Sequence, residues 1–503
     1  MRQGPRISQK VNTVIGIDLG TQALKVLFLD ASGGGLVANA SAPLALYRTD
    51  YGVAEQEHQW WLSALSQAMS GIDPEIRRTA RAMAVSGQQH GFVPLDRSNR
   101  VLAPVKLWCD TSTREHAEQI EEAFGGADAC IHELGNRVLP GYTASKIRWL
   151  KWARPDAYER LDAILLPHDF INLYLTGERC MEAGDASGTG FFDVRERAWS
   201  SKMLRAIDAD RDLAECLPIP RTRNEPIGHL KPGAAQALGL PAGIPVGIGG
   251  GDNMMGAIGT GNVSPGRMTM SLGTSGTVYA FSDEPIIDPQ GDIAAFCAST
   301  DGWLPLLCTM NCTVTTELMR DLLSAGLDQF EARISSTPPG SGGVITVPFF
   351  EGERTPNLPD ARAGVLGLSS RNMQPDNFLR SAVEGATFAL KQGIDELGKL
   401  GVSADEIVLT GGGQRSATWR QLVADVCNTR VTIYREDEGA ALGAAIQALQ
   451  LIEPGEHIAV LADANLSRND QASCVPGDEA VEIYTEAYQR YCQAVAAVSS
   501  LYQ

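Results

Sequence analysis

Two stretches of this sequence share a Leu-Gly-Thr core and differ in one acidic residue. Residues 15–30 read IGIDLGTQALKVLFLD and residues 268–282 read MTMSLGTSGTVYAFS, with Ser271 where the first copy has Asp18. A Gly-Thr turn presents backbone N–H groups and a hydroxyl, and both suit the oxygens of a phosphate. The second copy adds a hydroxyl and a glycine, which makes it the better phosphate cradle. The residues that we expect to bind phosphate at the two turns are Gly20, Thr21, Gly273, Thr274 and Ser275.

The acid in the first copy has a different use. A carboxylate repels a phosphate directly, but it can hold a Mg²⁺ ion that bridges phosphates, usually through water. We therefore predict that Asp18 binds Mg²⁺ and that Ser271 avoids repelling the nucleotide. The alternative interpretation is that both stretches are plain β-turns built from small residues.

A second lone acid follows three glycines in GGGDNMMG, residues 249–256. The glycines permit a substrate to approach the backbone closely, and the apolar neighbours raise the basicity of Asp252 by removing water from it. A general base that accepts the proton of a hydroxyl needs such a carboxylate. Alternatively, Asp252 caps a helix that begins at Asn253 and Met254, and the two roles can coexist.

Residues 408–426, VLTGGGQRSATWRQLVADV, predict a strand, a triple glycine and a helix with Ser416 as its N-cap. Glycines allow close backbone approach, and a helix N-terminus favours anions. We interpret Gly411, Gly412, Gly413 and Ser416 as part of a nucleotide site. Neither of the two common nucleotide fingerprints, G-x-x-x-x-G-K-[ST] and G-x-G-x-x-G, occurs in the sequence, so the nucleotide must sit in another fold.

The segments GQQHG and KLWCD contain residues suited to a polyhydroxy ligand. An aromatic face combined with several hydrogen-bonding groups is typical of a pocket for such a molecule. Taken alone, a histidine such as His90 is more often structural than ligand-binding. No His or Cys residues lie at the spacing of a zinc site. The residues that we expect to line the pocket are Gln89, His90, Trp108 and Asp110.

The elements that must position these residues alternate between strands and helices. Residues 13–30 and Gly33-Gly34-Gly35 predict a strand, a turn and a second strand near 36–45, and 267–282 predict a hairpin. Helical patterns dominate about 111–175 and end at Gly177. Further elements are predicted as strands at 80–86, 343–349 and 406–410 and helices at about 376–400 and 416–427. The sequence thus predicts an α/β fold with mixed sheets, and the two hairpins, about half a chain apart, indicate an internal duplication.

The bulk composition excludes several classes of protein. The chain has 503 residues, 44% of them hydrophobic and 20% charged, with a formal net charge of −18. Two or more domains are expected at this length, and the negative charge disfavours nucleic-acid and anionic-membrane partners. We expect residues 1–12 to be a disordered extension and the ten scattered cysteines to be reduced thiols. Without an apolar leader or a membrane span, a cytoplasmic protein is expected.

Together these segments resemble the FGGY carbohydrate kinases, and among them the bacterial xylulokinases most closely. The resemblance covers about residues 14–445, nearly the whole chain. The matching segments, in chain order, are IGIDLGT, SGQQHG, LWCD, GYTASKIRWL, LLPHDFINLYLTGE, DASGTGFFDV, GGGDN, SLGTSG, PFFEGERTPNLP and TGGGQRS followed by WRQLVADV.

The resemblance implies two duplicated ribonuclease H-like domains of the actin and hexokinase type, with the active site in the cleft between them. We place these domains at 13–255 and 256–503. The resemblance further implies that Asp252 is the catalytic base and that Asp18 and Thr21 form the first phosphate and Mg²⁺ motif. It also implies that Gly273, Thr274 and Ser275 hold the ATP phosphates. Positions that meet adenosine in the family are Gly412, Gly413 and Ser416, and sugar-binding positions are Gln89, His90 and Asn253.

Two departures from the family pattern lie in the sugar-binding segments. Gln89 stands where the compared kinases have Met, and Cys109 stands where they have Asn. Neither change touches phosphoryl transfer, but an extra amide can bond a further or differently oriented hydroxyl and so discriminate strongly between sugars.

The implied reaction joins ATP and a ketopentose, with D-xylulose as the first choice and Mg²⁺ as the cofactor. Ribulose, other ketoses and pentitols are the alternative substrates. Alternatives of another class are an actin-like or heat-shock-type ATPase without a sugar substrate, and a silent sugar-binding regulator. A homodimer is compatible with the sequence.

Overall fold

The computed structural model describes residues 12–221, 224–436 and 438–502, and it contains two large mixed sheets. The predicted extension at 1–12 lies, apart from residue 12, outside the described residues. The first sheet runs in the order β5-β6-β4-β1-β2-β3, with β7 paired to β4. Its strands are β1 (Thr13–Leu19), β2 (Ala23–Asp30), β3 (Leu36–Pro43), β4 (Ala80–Gly87), β5 (Gly228–His229), β6 (Pro245–Val246) and β7 (Gly250–Gly251).

The second sheet repeats the plan of the first. Its strands are β8 (Gly266–Leu272), β9 (Gly276–Ala280), β10 (Leu306–Thr309), β11 (Ala404–Thr410) and β12 (Arg430–Thr432), in the order β10-β9-β8-β11-β12. In each sheet three successive strands pair antiparallel, and the next two pair parallel on the far side of the first strand. The correspondence is therefore β3-β2-β1-β4-β6 with β10-β9-β8-β11-β12, which confirms the predicted duplication and the α/β fold.

Eleven shorter strands, eighteen α-helices and four short 3₁₀ helices complete the part of the chain that the structure describes. The shorter strands are Tyr47–Arg48, Ala54–Gln56, Val93–Leu95, Val105–Lys106, Ala163–Leu165, Met181–Glu182, Phe192–Asp193, Ala198–Trp199, Pro220–Arg221, Ile345–Val347 and Gly364–Leu366. The helices are α1 (His58–Ser70), α2 (Pro74–Arg77), α3 (Arg114–Phe124), α4 (Ala127–Leu134), α5 (Thr143–Ala153), α6 (Pro155–Glu159), α7 (Pro167–Thr176), α8 (Ala183–Ala186), α9 (Ser201–Ile207), α10 (Pro232–Leu238), α11 (Asp252–Gly259), α12 (Thr313–Leu322), α13 (Leu327–Ser336), α14 (Pro375–Lys399), α15 (Ala417–Cys427), α16 (Gly439–Ile452), α17 (Ile458–Asn465) and α18 (Asp478–Ser499).

One sequence-based element is wrong in detail. Residues 13–30 are not a single strand: β1 and β2 form a hairpin of their own, with Leu19 opposite Leu24 across the Gly20-Thr21 turn, and β3 follows as a third strand. The stretch is apolar on both sides of the turn because β1 and β2 both lie inside the sheet, where a continuous apolar run is expected. The predicted end of a helix at Gly177 is confirmed, since α7 stops at Thr176 and Gly177 has φ 90°.

A shared apolar core joins the two halves. Helix α16, from the second half, packs on β1 and β4 of the first sheet, and its alanines lie in one cluster with Val14, Ala82 and Ala84. The close approach depends on glycine: a Cβ built on Gly16 would lie 1.8 Å from the carbonyl oxygen of Ala441. The two halves therefore share buried surface through backbone-to-backbone contact.

The same helix crosses α11 at glycines. A Cβ on Gly443 would lie 1.7 Å from the Met255 carbonyl oxygen, and one on Gly259 would lie 1.8 Å from the Gly439 carbonyl oxygen. No larger residue fits at either position without separating the helices. Among the residues that the structure describes, no helix is both long and apolar enough to span a bilayer.

Candidate active site

Asp252 is the first residue of α11 and follows the short strand β7. That strand extends the first sheet, because Gly250 and Gly251 pair in parallel with Ser86 and Gly87 at the end of β4. A Cβ on Gly251 would lie 2.7 Å from Cγ of Gln89, so glycine is needed for this approach. The carboxylate is thus presented at the carboxyl ends of parallel strands, where open α/β sheets bind ligands.

Asp18 lies at the end of β1, at the same edge of the sheet. It is in register with Ser86 of β4, whose hydroxyl donates to Asp18 Oδ1 at 2.9 Å, and with Lys25 of β2. Burial raises the pKa of Asp18 above its usual value, while the Ser86 hydrogen bond and the Lys25 charge lower it. The sheet register therefore holds a half-buried carboxylate beside the Gly20-Thr21 turn.

The two predicted acids interact electrostatically. Burial, together with the negative charges of Asp18 and Asp185, raises the pKa of Asp252 to about 8. Two partly buried carboxylates that repel each other favour either a shared proton or a cation. The same site can therefore supply a base close to neutral pH and attract a positively charged group.

Three predicted residues form a hydrogen-bonded chain that ends at the Asp252 carboxylate. The Asn253 amide nitrogen donates to Gln89 Oε1 at 2.7 Å and to Asp252 Oδ1 at 3.2 Å, and the Asn253 backbone N–H donates to the same Asp252 oxygen at 2.8 Å. The other end of the Gln89 amide faces Met254 Sδ at 3.2 Å. The oxygen of Gln89 is therefore already engaged by protein.

His90 adopts a backbone conformation that is rare for residues with a side chain. Its φ is 61°, and its backbone N–H donates to Asp185 Oδ1 at 3.1 Å. Its carbonyl oxygen accepts from Thr143 Oγ1 at 3.1 Å and from Lys146 Nζ at 2.9 Å. Strain of this kind persists where the surroundings over-determine it, and it is concentrated at functional sites.

Buried charges that sequence reasoning did not single out hold this loop. His168 is fully buried between Asp169 and Asp185, with a nitrogen-to-oxygen distance of 3.0 Å to each. Burial alone would lower the pKa of His168, but the two carboxylates raise it well above its usual value and so favour the protonated imidazole. His168 and Asp169 lie in LLPHDFINLYLTGE, and Asp185 lies in DASGTGFFDV. Both segments belong to the family resemblance, but nothing in the sequence was a reason to assign these charged residues a role.

Lys146 is a second buried basic residue to which sequence reasoning assigned no role. Its side chain is fully buried on α5, and Nζ donates to the carbonyl oxygens of His90 and Gly141 at 2.9 and 2.7 Å. Burial lowers its pKa to about 7, and the charge of Asp110 opposes that change. Its only sequence signal is a lysine on the apolar side of a helix in GYTASKIRWL.

Trp108 and Asp110, which we expected to line the pocket, are both hydrogen-bonded within the protein. Trp108 Nε1 donates to Thr21 Oγ1 at 3.0 Å, so the aromatic ring is fixed to the first turn. Asp110 is fully buried and accepts from Ala54 N–H and Lys106 Nζ on one oxygen and from Ser112 N–H and Oγ on the other. All four lone-pair sites of Asp110 are occupied, so it has no acceptor left for a sugar hydroxyl.

The second hairpin and the triple glycine lie next to each other. The carbonyl oxygens of Gly273 and Thr274 accept from the start of α12, which fixes the turn. Gly411 has φ 83°, and a Cβ there would lie 2.8 Å from the Leu272 carbonyl carbon, whereas a Cβ on Gly412 meets nothing within 4 Å. Backbone is therefore exposed at Gly412 beside the hairpin tip.

Ser416 serves the helix that follows. Its hydroxyl accepts from the Trp419 backbone N–H at 3.0 Å, which confirms the predicted N-cap of α15, and donates to Glu331. The hydroxyl thus has both an internal donor and an internal acceptor.

The donor set fits a hydrated cation better than a directly ligated one. Among the described residues no cluster of three or more His, Cys, Asp or Glu side chains could hold a metal by itself. Asp18 and Asp252 instead supply two carboxylates whose pKa values burial raises, next to turns suited to phosphate. A Mg²⁺ ion that keeps waters and takes its remaining ligands from a nucleotide matches this arrangement.

Family models match both halves of the chain. The N-terminal domain of the FGGY family of carbohydrate kinases matches residues 13–259, and its C-terminal domain matches residues 268–451. The chain therefore belongs to the FGGY family of carbohydrate kinases, and it is a carbohydrate kinase that uses ATP and a sugar as substrates.

Similar proteins agree with that assignment. A xylulose kinase from Haemophilus influenzae is 40% identical over 484 residues, covering 95% of this chain and 98% of the relative. A xylulose kinase from Streptomyces coelicolor is 36% identical, covering 93% and 94%. A crystal structure of a xyloylose kinase from Brucella ovis superposes with a TM-score of 0.90 at 29% identity, covering 97% of this chain and 100% of that one. The predicted two-domain, actin-like kinase fold is thereby confirmed.

Proposed function

We propose that the protein transfers the γ-phosphoryl group of ATP to the terminal hydroxyl of D-xylulose, giving ADP and D-xylulose 5-phosphate. The observation that carries this proposal is the Asp252 carboxylate, whose pKa is raised to about 8 and which is hydrogen-bonded through Asn253 to the Gln89 loop. A carboxylate with a pKa near the working pH suits the abstraction of a hydroxyl proton.

In the proposed reaction Asp252 accepts the proton of the sugar hydroxyl while the hydroxyl oxygen attacks phosphorus. The transition state of phosphoryl transfer is loose, so the protein contributes mainly by positioning groups and by balancing charge. We assign Gln89, His90, Asn253 and Trp108 to the sugar side. We assign the turns at Gly20-Thr21 and Gly273–Ser275, together with Gly411–Gly413, to the phosphates and the adenosine.

Three roles in this proposal are indirect. We propose that Asp18 holds Mg²⁺ through water, and the ion supplies neutralisation of phosphate oxygens when it is bound. Ser416 acts by starting α15, because its hydroxyl is engaged within the protein. Asp110 acts by fixing the loop after Trp108, because its oxygens are already saturated.

A coupled assay of ADP release tests the proposal directly. We expect turnover that depends on D-xylulose, and we expect Asp252→Ala to lower kcat by about 10²-fold or more with little change in ATP binding. Asp283→Ala removes an exposed carboxylate elsewhere on the chain and serves as the matched control. Near-normal turnover in Asp252→Ala would contradict the assignment of the base, and ADP release that ignores sugar would indicate an ATPase.

The second candidate is the same reaction on another ketose or on a pentitol. Gln89 favours this second candidate, because the kinases that the sequence resembles have Met at this position. The amide of Gln89 lies next to Asn253 and Met254. A panel of D-xylulose, ribulose, other ketoses and pentitols separates the candidates. If Gln89→Met changes the order of kcat/KM among these sugars, the amide sets specificity. If the order is unchanged, Gln89 only orients Asn253.

The proposed domains are 13–255 and 256–503, and helix α11 spans the proposed boundary. A homodimer stays a prediction that light scattering at working concentration can test.

A further inference from the structure

One segment of the recognised pattern, PFFEGERTPNLP, has no role in the reaction described above. It contains Arg354, whose side chain is half-buried. In residues 12–221, 224–436 and 438–502, no hydrogen bond or ion pair involves the Arg354 guanidinium, although its backbone N–H donates to Glu353. A purely structural arginine of this protein looks different: Arg380 bonds the Ile334 carbonyl oxygen, Tyr484 and Glu384.

The loop that carries Arg354 is fixed to the second sheet. The Glu353 carboxylate accepts from the Met310 backbone N–H at 2.6 Å and from the Asn311 side chain at 3.1 Å. Thr355 Oγ1 donates to the carbonyl oxygen of Cys308 at 3.3 Å. Both residues that flank Arg354 are therefore anchored to β10 and to the turn that follows it, so the backbone of Arg354 has a defined position.

That position lies beside the second phosphate hairpin. Strand β10 pairs with β9, with Cys308 opposite Thr277 and Thr309 opposite Gly276. The backbone N–H of Cys312, just beyond the anchored turn, donates to the Thr274 carbonyl oxygen at 3.0 Å. The anchored loop and the proposed phosphate-binding turn therefore form one connected unit.

The Arg354 charge also reaches the sugar side of the site. Burial lowers the pKa of His90, and the Arg354 guanidinium lowers it further. Burial raises the pKa of Cys308; Arg354 opposes this change, and Asp252 adds to it. The His90 ring itself packs against Phe296 of the second half, with ring centroids 5.5 Å apart. The Arg354 charge thus acts on His90 of the sugar loop and on Cys308, which pairs with Thr277 of the phosphate hairpin.

We propose that Arg354 binds the phosphoryl group in transit, as the γ-phosphoryl of ATP before transfer and as the phosphate ester of the sugar afterwards. This inference rests on the proposed kinase reaction. In that step the bond between phosphorus and the sugar hydroxyl oxygen forms, the bond between phosphorus and the bridging oxygen of ADP breaks, and the hydroxyl proton passes to Asp252. The guanidinium is suited to this task because it stays charged and presents a planar fork of donors to two phosphate oxygens.

The test compares Arg354→Gln and Arg354→Lys with Arg371→Gln, which removes an exposed arginine farther along the chain. Three quantities are measured: kcat in the coupled assay, binding of the neutral sugar without nucleotide, and binding of the sugar 5-phosphate without nucleotide. We expect Arg354→Gln to lower kcat by about 10²–10³-fold, the range found for removing one preorganised donor to a developing oxyanion. We expect sugar 5-phosphate binding to weaken at least tenfold while neutral-sugar binding changes less than threefold.

Arg354→Lys separates charge from geometry, since lysine keeps the charge but loses the fork. It should recover part of the lost kcat, and added guanidinium ion should raise the turnover of Arg354→Gln but not that of Arg371→Gln. The inference is wrong if the wild type is active and Arg354→Gln keeps both kcat and sugar-phosphate affinity within threefold. Equal losses of neutral-sugar and sugar-phosphate binding would also overturn it, because they would indicate a structural role. An inactive wild type would instead contradict the proposed function.

Discussion

Replacing Asp252 by Asn should make the protein more stable as well as inactive. In the ligand-free, Mg²⁺-free protein burial raises the pKa of this carboxyl to about 8 from the usual value of 3.8. The pKa of this carboxyl is therefore higher in the folded state than in the unfolded state. Its contribution to the free energy of unfolding is complete below about pH 4 and is lost as the pH rises through about 8. The asparagine variant carries no proton to lose, and its side-chain oxygen can keep the bond from the Asn253 N–H.

The size of the effect follows from the shift. Between the two pKa values the wild type loses up to about 1.4 kcal/mol per pH unit relative to the variant. From pH 5.5 to 7.5 this amounts to about 2.7 kcal/mol at most, or roughly 5–10 °C in the midpoint of thermal unfolding for a domain of this size. Thermal unfolding with EDTA measures it, and the exposed Asp283→Asn is the charge-matched control. If Asp252→Asn and wild type lose stability in parallel from pH 5.5 to 7.5, Asp252 is already ionised and the reasoning about the base is refuted.

Three further substitutions test the site and its support. Gly443→Ala places a Cβ 1.7 Å from a carbonyl oxygen of α11. It should lower the free energy of unfolding by about 1–3 kcal/mol, measured as a lower midpoint of thermal unfolding. Gly455→Ala, at a position with open space around it, is the control and should change the midpoint little. Lys146→Met removes the ammonium that donates to the His90 and Gly141 carbonyl oxygens, so the KM for sugar should rise at least about tenfold with a smaller change in the KM for ATP. Equal changes in both KM values would contradict this. Asp18→Asn should impair Mg²⁺-dependent turnover while sugar binding measured by calorimetry without nucleotide survives, and loss of that binding would overturn the metal assignment.

The sequence predicted the repeated sheet because its signals are local. The Leu-Gly-Thr turns, the flanking apolar strands and the helix N-cap at Ser416 each depend on residues within a few positions of one another. The split of residues 13–30 into two strands was missed because the run stays apolar on both sides of the turn. A central strand and its neighbour in the sheet bury the same kind of side chain, so composition alone does not reveal where one ends.

The buried charges of the site could not be predicted in the same way. His168 and Asp185 are 17 positions apart, and each is unremarkable in its own segment. Their partnership exists only after α7 and α8 are packed, when the cost of burying one charge is offset by the other. Arg354 presents the opposite case, because only the folded chain shows that no carboxylate among the described residues pairs with its guanidinium.

The placement of α16 on the first sheet has a consequence for synthesis on the ribosome. The face of β1 and β4 that holds Val14, Ala82 and Ala84 is covered by a helix that begins at Gly439. At about 5–20 residues per second, the roughly 350 residues between β4 and α16 take on the order of 20–70 s to emerge. During that time the apolar face of a nearly complete sheet lacks its final cover. The nascent chain should therefore bind a holdase over this interval and release it only when α16, at Gly439–Ile452 of the 503 residues, has been made.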